Sequence, residues 1–386
     1  MIINDQVYLK SYIPYSFDLM ALFYATCAPG LEFISADEIE KKRMGKIVEK
    51  REGRGRVFFE SSFEEIPLMH CSLRTIERIV YLLARQKVKT LDEIYEVVRK
   101  LDLSMIRPDW SFAIRPTRTG KHDFTSIDIA RVSGQAVIDN YMSERNVRLK
   151  VNLDEPDVII RCDLIGDELT VGIDMTGDDG LHKRRYRIYQ HPAPLNPAIA
   201  ASLVYLSGWS SDFSLLDPFC GSGTILFEAG MIARNTPICK YRKDFAFMKF
   251  FDNLPEVEES NVPLKLYGIE KFRKHVEGAR KIADYVGIRP IFIQGTAEKI
   301  DSYINEVDYI VTNPPYGMRV GRKNIIERIY SGFLTSASLV LRKRMVVITS
   351  ETEIFERYAV EHFSSIRKYS VRYGDLMTAV YVIDVA

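Results

Sequence analysis

The chain has no excess of charge of either sign. Its 386 residues include 53 lysines and arginines against 52 aspartates and glutamates, a formal net charge of +1. Such a balance excludes a global positive field that would draw the whole molecule to nucleic acid, so any such binding must depend on local basic clusters. The length exceeds what one ordinary core accommodates, which predicts two or three domains.

Cysteine and histidine are scarce and dispersed. None of the five cysteines forms a C-x-x-C pair, and the six histidines show no spacing typical of metal ligands. We therefore predict no bound metal and only reduced thiols, as is usual in the cytoplasm. The cysteines are Cys27, Cys71, Cys162, Cys220 and Cys239.

Long apolar runs and targeting patterns are also missing. The first residues, MIINDQVYLK, do not show the basic-then-apolar order of a signal peptide. No apolar run reaches the roughly 18 residues that would span a bilayer. The prediction is a soluble, cytoplasmic protein that does not bind a membrane.

The chain divides into regions by its patterns. Residues 1–65 predict a small α+β module with an antiparallel sheet, and residues 66–176 predict a second α+β domain. Residues 177–194 mix glycine, charge and proline without apolar periodicity, which is typical of a linker. Residues 195–386 alternate strands and helices. That alternation predicts an α/β domain with a mostly parallel sheet, covered on both faces, and an antiparallel pair at its edge.

The first chemical motif follows the apolar strand that ends at Asp217. After it come Gly221, Ser222 and Gly223, and a helix begins at Thr224. Glycines let the backbone approach a ligand closely, so the motif predicts a nucleotide-type pocket at the carboxyl end of a strand. No Lys-Ser/Thr pair follows the glycines, which argues against a P-loop. A Gly-x-Gly sequence alone is equally compatible with a tight turn.

Two further positions follow the next two strands. Glu270 ends the first of them, where a carboxylate can accept hydrogen bonds from both hydroxyls of a ribose. Thr296 and Ala297 follow the other strand and are predicted to border an adenine. Taken alone, Glu270 is also compatible with a solvated acid at a helix N-terminus.

The sharpest motif is Asn313-Pro314-Pro315-Tyr316, which ends a fourth apolar strand. Two prolines fix the backbone, so the Asn313 amide oxygen and the Pro314 carbonyl are held together. Such a pair can accept both hydrogens of a base amine and stabilise the nitrogen as it becomes tetrahedral, while Tyr316 stacks on the base. The alternative is a Pro-Pro turn with a capping asparagine.

Basic residues cluster at two places in the first half of the chain. Both clusters suit phosphate contacts with RNA, although a charge run is more often a solvated surface. The first consists of Arg115, Arg118, Lys121 and His122, and the second of Lys183, Arg184, Arg185 and Arg187.

Together, these motifs resemble the class I, Rossmann-like amino-methyltransferases. The resemblance implies a seven-stranded sheet of order 3-2-1-4-5-7-6. It also implies that the glycine loop and the two carboxylates Asp217 and Glu270 bind S-adenosylmethionine, with S-adenosylhomocysteine as product, and that residues 313–316 hold the target amine. Thr296 departs from the pattern, since many relatives carry an aspartate there.

The resemblance extends upstream. Residues 112–130, 151–158 and 174–187 are similar to the THUMP domain, and residues 30–39 resemble the ferredoxin-like module that precedes it. This order of domains is most similar to the tRNA guanine-N2 methyltransferases that act at position six of the acceptor stem. It implies a monomeric enzyme with tRNA as its partner, with a partner subunit left open.

Three alternatives stay open. The first is guanine-N2 methylation at another site in tRNA or ribosomal RNA, and the second is adenine-N6 methylation of nucleic acid, because Asn-Pro-Pro-Tyr serves both amines. The third is a non-catalytic RNA-binding protein with a decayed methyltransferase fold. The intact set of Asp217, Glu270 and Asn313 argues against the third.

Overall fold

The structure is a computed structural model that describes residues 20–316, 323–374 and 376–385. Among these residues, no helix combines the length and the apolar character that crossing a membrane requires. Two sheets organise the chain, one with eight strands and one with seven.

The first sheet is built from residues 20–174, in the order β2-β3-β1-β4-β8-β7-β5-β6. Its strands are β1 Met20–Cys27, β2 Lys46–Arg51, β3 Arg56–Ser62, β4 Ile76–Lys87, β5 Ser111–Thr119, β6 Lys150–Val151, β7 Val158–Ile165 and β8 Glu168–Asp174. Its helices are α1 Glu32–Lys41, α2 Ile66–Ser72, α3 Leu91–Arg99 and α4 Ser126–Arg145. Capping boxes at Thr90 and Thr125 begin α3 and α4.

This sheet is continuous across the two modules predicted for residues 1–65 and 66–176. In β4, Tyr81 pairs with Phe23 of β1 on one side and with Ile173 of β8 on the other. Because Arg115, Arg118, Lys121 and His122 are predicted to contact RNA, we call residues 20–174 the RNA-binding half as a label for that prediction. The predicted boundary at residue 65 also stays a prediction.

The second sheet has the order β11-β10-β9-β12-β13-β15-β14. Its strands are β9 Ser214–Asp217, β10 Lys265–Glu270, β11 Ile291–Gln294, β12 Val307–Thr312, β13 Leu341–Thr349, β14 Ser365–Tyr373 and β15 Leu376–Asp384. The helices are α5 Pro197–Ser207, α6 Thr224–Ala233, α7 Arg273–Val286, α8 Lys323–Val340 and α9 Thr352–Ala359.

The five strands β9–β13 are parallel, and β15 runs antiparallel to both β13 and β14. Apolar side chains of the strands are buried on both faces, in two separate core clusters. This confirms the predicted fold class and the order of the sheet. Helix α9 was not predicted, because it has only eight residues. We call residues 195–385, which carry the predicted catalytic residues, the catalytic half.

The two halves are packed together by a segment of the catalytic half. Between α6 and β10, Ile238, Phe247 and Phe251 are buried in the core of the RNA-binding half. The backbone N–H of Phe247 donates to the carbonyl of Met175 at 2.9 Å, just beyond β8. Residues 177–194 form neither helix nor strand, but Tyr186 within them is buried.

The structure corrects the prediction that all cysteines are reduced. Cys71 at the end of α2 and Cys239 of the inserted segment form a disulfide that joins the two halves. Their sequence separation is 168 residues, so no local spacing announced the pair. Cys27, Cys162 and Cys220 are free and buried.

Candidate active site

The predicted site residues meet at one edge of the second sheet. Parallel strands present their carboxyl ends at the same edge, and β9, β10 and β12 end at Asp217, Glu270 and Thr312. The register places Asp217 beside Gly268 of β10, two residues before Glu270. The glycine loop follows β9 directly, and Asn313 follows β12.

The glycine loop is built to bring backbone close to a ligand. Gly221 and Gly223 have φ angles of 54° and 83°, a backbone conformation that residues with a side chain rarely adopt. A Cβ atom at Gly223 would lie 2.9 Å from the Phe227 ring. Gly223 is the N-cap residue of α6 and has no side chain, so among the described residues no N-cap side chain accepts from the first N–H groups of the helix. Ser222 and Thr224 are buried beside them.

Asp217 is buried and connects the two motifs. Its Oδ1 accepts a hydrogen bond from Thr312 Oγ1 at 2.6 Å and another from the Phe219 N–H at 3.2 Å. Burial raises the pKa of Asp217 to about 7, with a smaller contribution from the charge of Glu270. The Thr312 hydroxyl therefore ties the carboxylate of the glycine loop to the residue that precedes Asn313.

The raised pKa predicts that Asp217 destabilises the unliganded chain. Between its ordinary value of 3.8 and about 7, the folded state binds more protons than the unfolded state. Stability is therefore lost as the pH rises through that range. In Asp217→Asn we expect the free energy of unfolding at pH 8 to exceed that of the wild type by about 2–4 kcal/mol. Urea titrations should show this gain shrinking toward pH 4.

Asp308 at the start of β12 is the matched control for this experiment. Burial alone would raise the pKa of Asp308, but hydrogen bonds from the backbone and hydroxyl of Ser214 lower it below its usual value. Asp308→Asn should therefore lose stability at pH 8 and approach the wild type on acidification. Equal pH dependence of the two variants would contradict the assignment.

Glu270 and the turn after β11 complete the proposed cofactor side of the site. Glu270 is half-buried and accepts a hydrogen bond from the Phe272 N–H at 2.7 Å. Thr296 is half-buried and precedes Ala297, which is buried. The ring of Phe272 is 55% exposed next to Glu270, so it is free to stack on a flat ligand. Sequence reasoning missed Phe272, although its position two residues after the carboxylate was available.

The side-chain amide oxygen of Asn313 is the atom of the site that most clearly indicates a ligand. Its Oδ1 is buried and has no hydrogen-bond partner within the described residues. A buried amide oxygen without a partner costs about 1–3 kcal/mol, so such atoms are rare unless a ligand satisfies them. Pro314 is buried beneath it.

The rest of the turn is held from α8. The Tyr330 hydroxyl lies 3.2 Å from the Pro315 carbonyl, to which it donates, and 2.7 Å from the Thr349 hydroxyl at the end of β13. Tyr316 is half-buried, and burial raises its pKa above the usual value. The charge of Tyr373 raises the pKa of Tyr316 further, and a side-chain hydrogen bond with Asn313 lowers it.

The linker covers the glycine loop, which sequence reasoning did not predict. A Cβ atom at Gly221 would lie 3.3 Å from His191 Nε2. The His191 ring is 4.2 Å from the ring of His275 in α7, and His275 Nδ1 is 2.8 Å from the Tyr189 hydroxyl. Burial, followed by the charge of His191, lowers the pKa of His275. These contacts hold residues 189–191 of the linker against the glycine loop and α7.

The first basic cluster lies at the surface of the RNA-binding half, where β5 ends. Arg118 and Lys121 are exposed. His122 Nε2 is 2.7 Å from the Gly166 carbonyl, which fixes the loop against the β7–β8 turn. Arg115 is paired with Asp178 at 2.9 Å and is half-buried.

The second basic cluster is divided by burial. Lys183 and Arg185 are exposed and paired with Asp179, while Arg187 is half-buried. Arg184 is buried, and its guanidinium is paired with Glu228 at 3.2 Å. The structure corrects the prediction that Arg184 contacts RNA, because its charge is neutralised inside the protein and has no access to a phosphate.

Comparison with known proteins matches three segments of the chain to family models. Residues 22–80 match an RlmL ferredoxin-like domain, residues 88–174 a THUMP domain, and residues 184–380 an RMKL-like methyltransferase domain. The crystal structure of SMU.472 complexed with SAH aligns with a TM-score of 0.79 at 25% identity, covering 94% of this chain and 97% of that one.

Two archaeal proteins named tRNA (guanine(6)-N2)-methyltransferase match nearly the whole chain. The protein from Archaeoglobus fulgidus is 47% identical and covers 94% of this chain and 92% of its own length. The protein from Methanocaldococcus jannaschii is 45% identical, with 94% and 99% covered. These matches confirm the resemblance inferred from the motifs. The chain belongs to the RMKL-like methyltransferases and carries ferredoxin-like and THUMP domains ahead of its methyltransferase domain.

Proposed function

We propose that this protein transfers a methyl group from S-adenosylmethionine to the N2 amine of a guanine at position six of the tRNA acceptor stem. The observation that carries the proposal is the Oδ1 of Asn313, which is buried and has no hydrogen-bond partner among residues 20–316, 323–374 and 376–385, at the strand end next to Asp217. The names of the two archaeal relatives support the choice of tRNA, guanine and position.

The residues present fit the cofactor. The N-terminus of α6 and the glycine loop suit the carboxylate of its methionine portion, and Glu270 suits the ribose hydroxyls. The turn at Thr296 and Ala297 and the exposed ring of Phe272 suit the adenine. When bound, the cofactor supplies an activated sulfonium methyl group, so the protein needs no strong base to start the reaction.

The chain's own task is to prepare the amine. The lone pair of a base amine is delocalised into the ring, which makes the nitrogen a poor nucleophile. Asn313 Oδ1 accepts one hydrogen of the amine and the Pro314 carbonyl accepts the other. Both hydrogen bonds favour the tetrahedral nitrogen of the transition state over the flat ground state. Tyr316 stacks on the base and fixes its plane.

The RNA-binding half then selects the nucleotide. Arg115, Arg118, Lys121 and His122 contact phosphates of the tRNA end, together with the exposed Lys183, Arg185 and Arg187. A fixed distance from this surface to the catalytic edge determines which nucleotide reaches Asn313. A stem guanine must leave its base pair, which costs a few kcal/mol that stacking and phosphate contacts offset.

Nucleoside analysis of methylated tRNA tests the proposal against its alternatives. A tRNA transcript incubated with protein and methyl-labelled cofactor should yield N2-methylguanosine, mapped to position six by mass spectrometry of nuclease fragments. N6-methyladenosine would favour the adenine alternative, and N2-methylguanosine elsewhere would correct the position. Absence of cofactor binding in calorimetry would favour a non-catalytic RNA-binding protein.

Removing two exposed cations should weaken tRNA binding in a salt-dependent manner. In the double variant Arg118→Ala/Lys121→Ala, fewer counterions are released on binding. We expect the slope of log K against log salt to fall by about 1–2, with the affinity loss largest at low salt. Arg289→Ala removes a 78% exposed side chain from the catalytic half and serves as the control. Equal slopes for both variants would remove Arg118 and Lys121 from the RNA surface.

A further inference from the structure

One buried carboxylate joins the two halves at α6, the helix that follows the glycine loop. Glu228 lies in the second turn of α6, and its side chain is fully buried. Arg74 of the RNA-binding half donates to its Oε2 at 2.8 Å, and Arg184 of the linker donates to its Oε1 at 3.2 Å. The hydroxyl of Tyr186 donates to the same Oε1 at 2.9 Å.

Further hydrogen bonds connect Arg74 and Arg184 to each other and to neighbouring residues. Arg184 donates to the Arg74 carbonyl at 2.8 Å, and Arg74 also donates to the Thr236 carbonyl of the inserted segment. The backbone N–H of Arg74 donates to both carboxylate oxygens of Glu38 in α1. The three parts of the chain therefore meet at Glu228 with directional contacts rather than apolar packing alone.

In this cluster one carboxylate is shared by two guanidinium groups. Burial alone would raise the pKa of Glu228, but the charges of Arg184 and Arg74 lower it below its usual value, so the carboxylate stays ionised. A buried ion pair contributes little net stability compared with apolar residues of similar volume. Its attraction offsets the cost of desolvation only when the distances and orientations of the two groups are right. Its best-supported use is to specify one arrangement among several of similar stability.

Other contacts across the boundary, among them the disulfide between Cys71 and Cys239, lie away from α6. Tyr205 of α5 donates to Glu38 at 3.2 Å, and the rings of Phe33 and Tyr369 stack at 5.2 Å. These contacts and the buried aromatic residues of the inserted segment hold the halves together, but none involves the helix that begins at the glycine loop.

From these contacts we propose that Arg74, Glu228 and Arg184 are positioning residues that set the distance between the tRNA-binding surface and the amine site. Glu228 is one turn from the glycine loop, so a shift of α6 against Arg74 would move the catalytic edge relative to the bound tRNA end. The cluster thereby determines which stem nucleotide is methylated. This inference rests on the proposed tRNA function.

The test is a profile of methylation position. A set of tRNA transcripts carries the only acceptor-stem guanine at successive positions, and kcat/KM is measured for each. Wild-type protein should show one sharp maximum. For Glu228→Gln we compare kcat/KM at the preferred position with kcat/KM at the neighbouring positions. This ratio should fall by about 10–100-fold, the effect expected when the reacting groups are displaced by about 1 Å. Cofactor affinity, measured by calorimetry, should stay within about twofold.

Asp163→Asn is the matched control. Asp163 is also fully buried and also accepts from an arginine and a tyrosine hydroxyl, Arg56 and Tyr24, each at 3.0 Å, but all three lie in the RNA-binding half. The Asp163→Asn substitution should lower the melting temperature and leave a single sharp maximum in the profile of methylation position. If Glu228→Gln does not fold, Tyr186→Phe, which removes one hydrogen bond to Glu228, takes its place with a smaller broadening.

A sharp profile in a folded cluster variant, or equal broadening in Asp163→Asn, would overturn the proposed role. The proposed function fails in a different way, since wild-type protein would then methylate no guanine in any transcript.

Discussion

Asn313→Ala should lower kcat by about 10²–10³-fold, the loss typical of removing one oriented group that stabilises charge in a transition state. The substitution removes the buried Oδ1 that has no partner within the described residues, and with it the side-chain hydrogen bond between Asn313 and Tyr316. Calorimetry should show that S-adenosylmethionine still binds, because Asp217 and the glycine loop are untouched. Single-turnover methylation of tRNA measures the chemical step.

Asn140→Ala separates this effect from a general loss of stability. Asn140 is buried in α4, and its amide donates to the carbonyls of Arg99 and Leu101, each at 2.8 Å. Leaving these carbonyls unpaired should cost stability and leave kcat unchanged at a temperature where the variant is folded. A wild-type kcat in Asn313→Ala would show that the amine is held by other groups.

Glu270→Gln should raise the dissociation constant for S-adenosylmethionine by about 10–100-fold. A carboxylate that accepts two ribose hydroxyls makes charge-assisted hydrogen bonds, each worth about 1.5–3 kcal/mol, and a neutral amide keeps only part of that energy. Calorimetric titration with the cofactor and with S-adenosylhomocysteine measures the change.

Glu277→Gln, two turns further along the chain in α7, is the control for Glu270. Its side chain is 52% exposed and paired with Arg273 of the same helix. An exposed pair of this kind contributes little, so cofactor affinity should not change. An unchanged dissociation constant in Glu270→Gln would leave Glu270 as a solvated acid at the start of α7.

The sequence predicted those parts of the site that depend on local order along the chain. Asp217, Glu270 and Asn313 each end a strand, and parallel strands bring such ends to one edge whatever the rest of the fold is. The alternation of strands and helices was sufficient to predict a mostly parallel sheet with an antiparallel pair at its edge, while the order of its strands was implied by the resemblance. Motifs at the ends of parallel strands can therefore be assigned to a site from the local sequence, without knowledge of contacts between distant residues.

What the sequence did not predict depends on partners far along the chain. Arg184 belongs to a basic run and was assigned to RNA, but in the interior it is paired with the Glu228 carboxylate and donates to the Arg74 carbonyl. Cys71 meets Cys239 only because the inserted segment packs into the other half. His191 reaches Gly221 in the same way, through tertiary packing of an irregular segment.

The most direct measurement is a crystal structure of the protein with S-adenosylhomocysteine and a tRNA acceptor stem. We expect the position-six guanine to be turned out of the helix, with its N2 about 2.7–3.2 Å from Asn313 Oδ1. The nitrogen should also face the sulfur of the bound product. A guanine that remains paired, or an N2 directed away from Asn313 and the cofactor, would contradict the central claim.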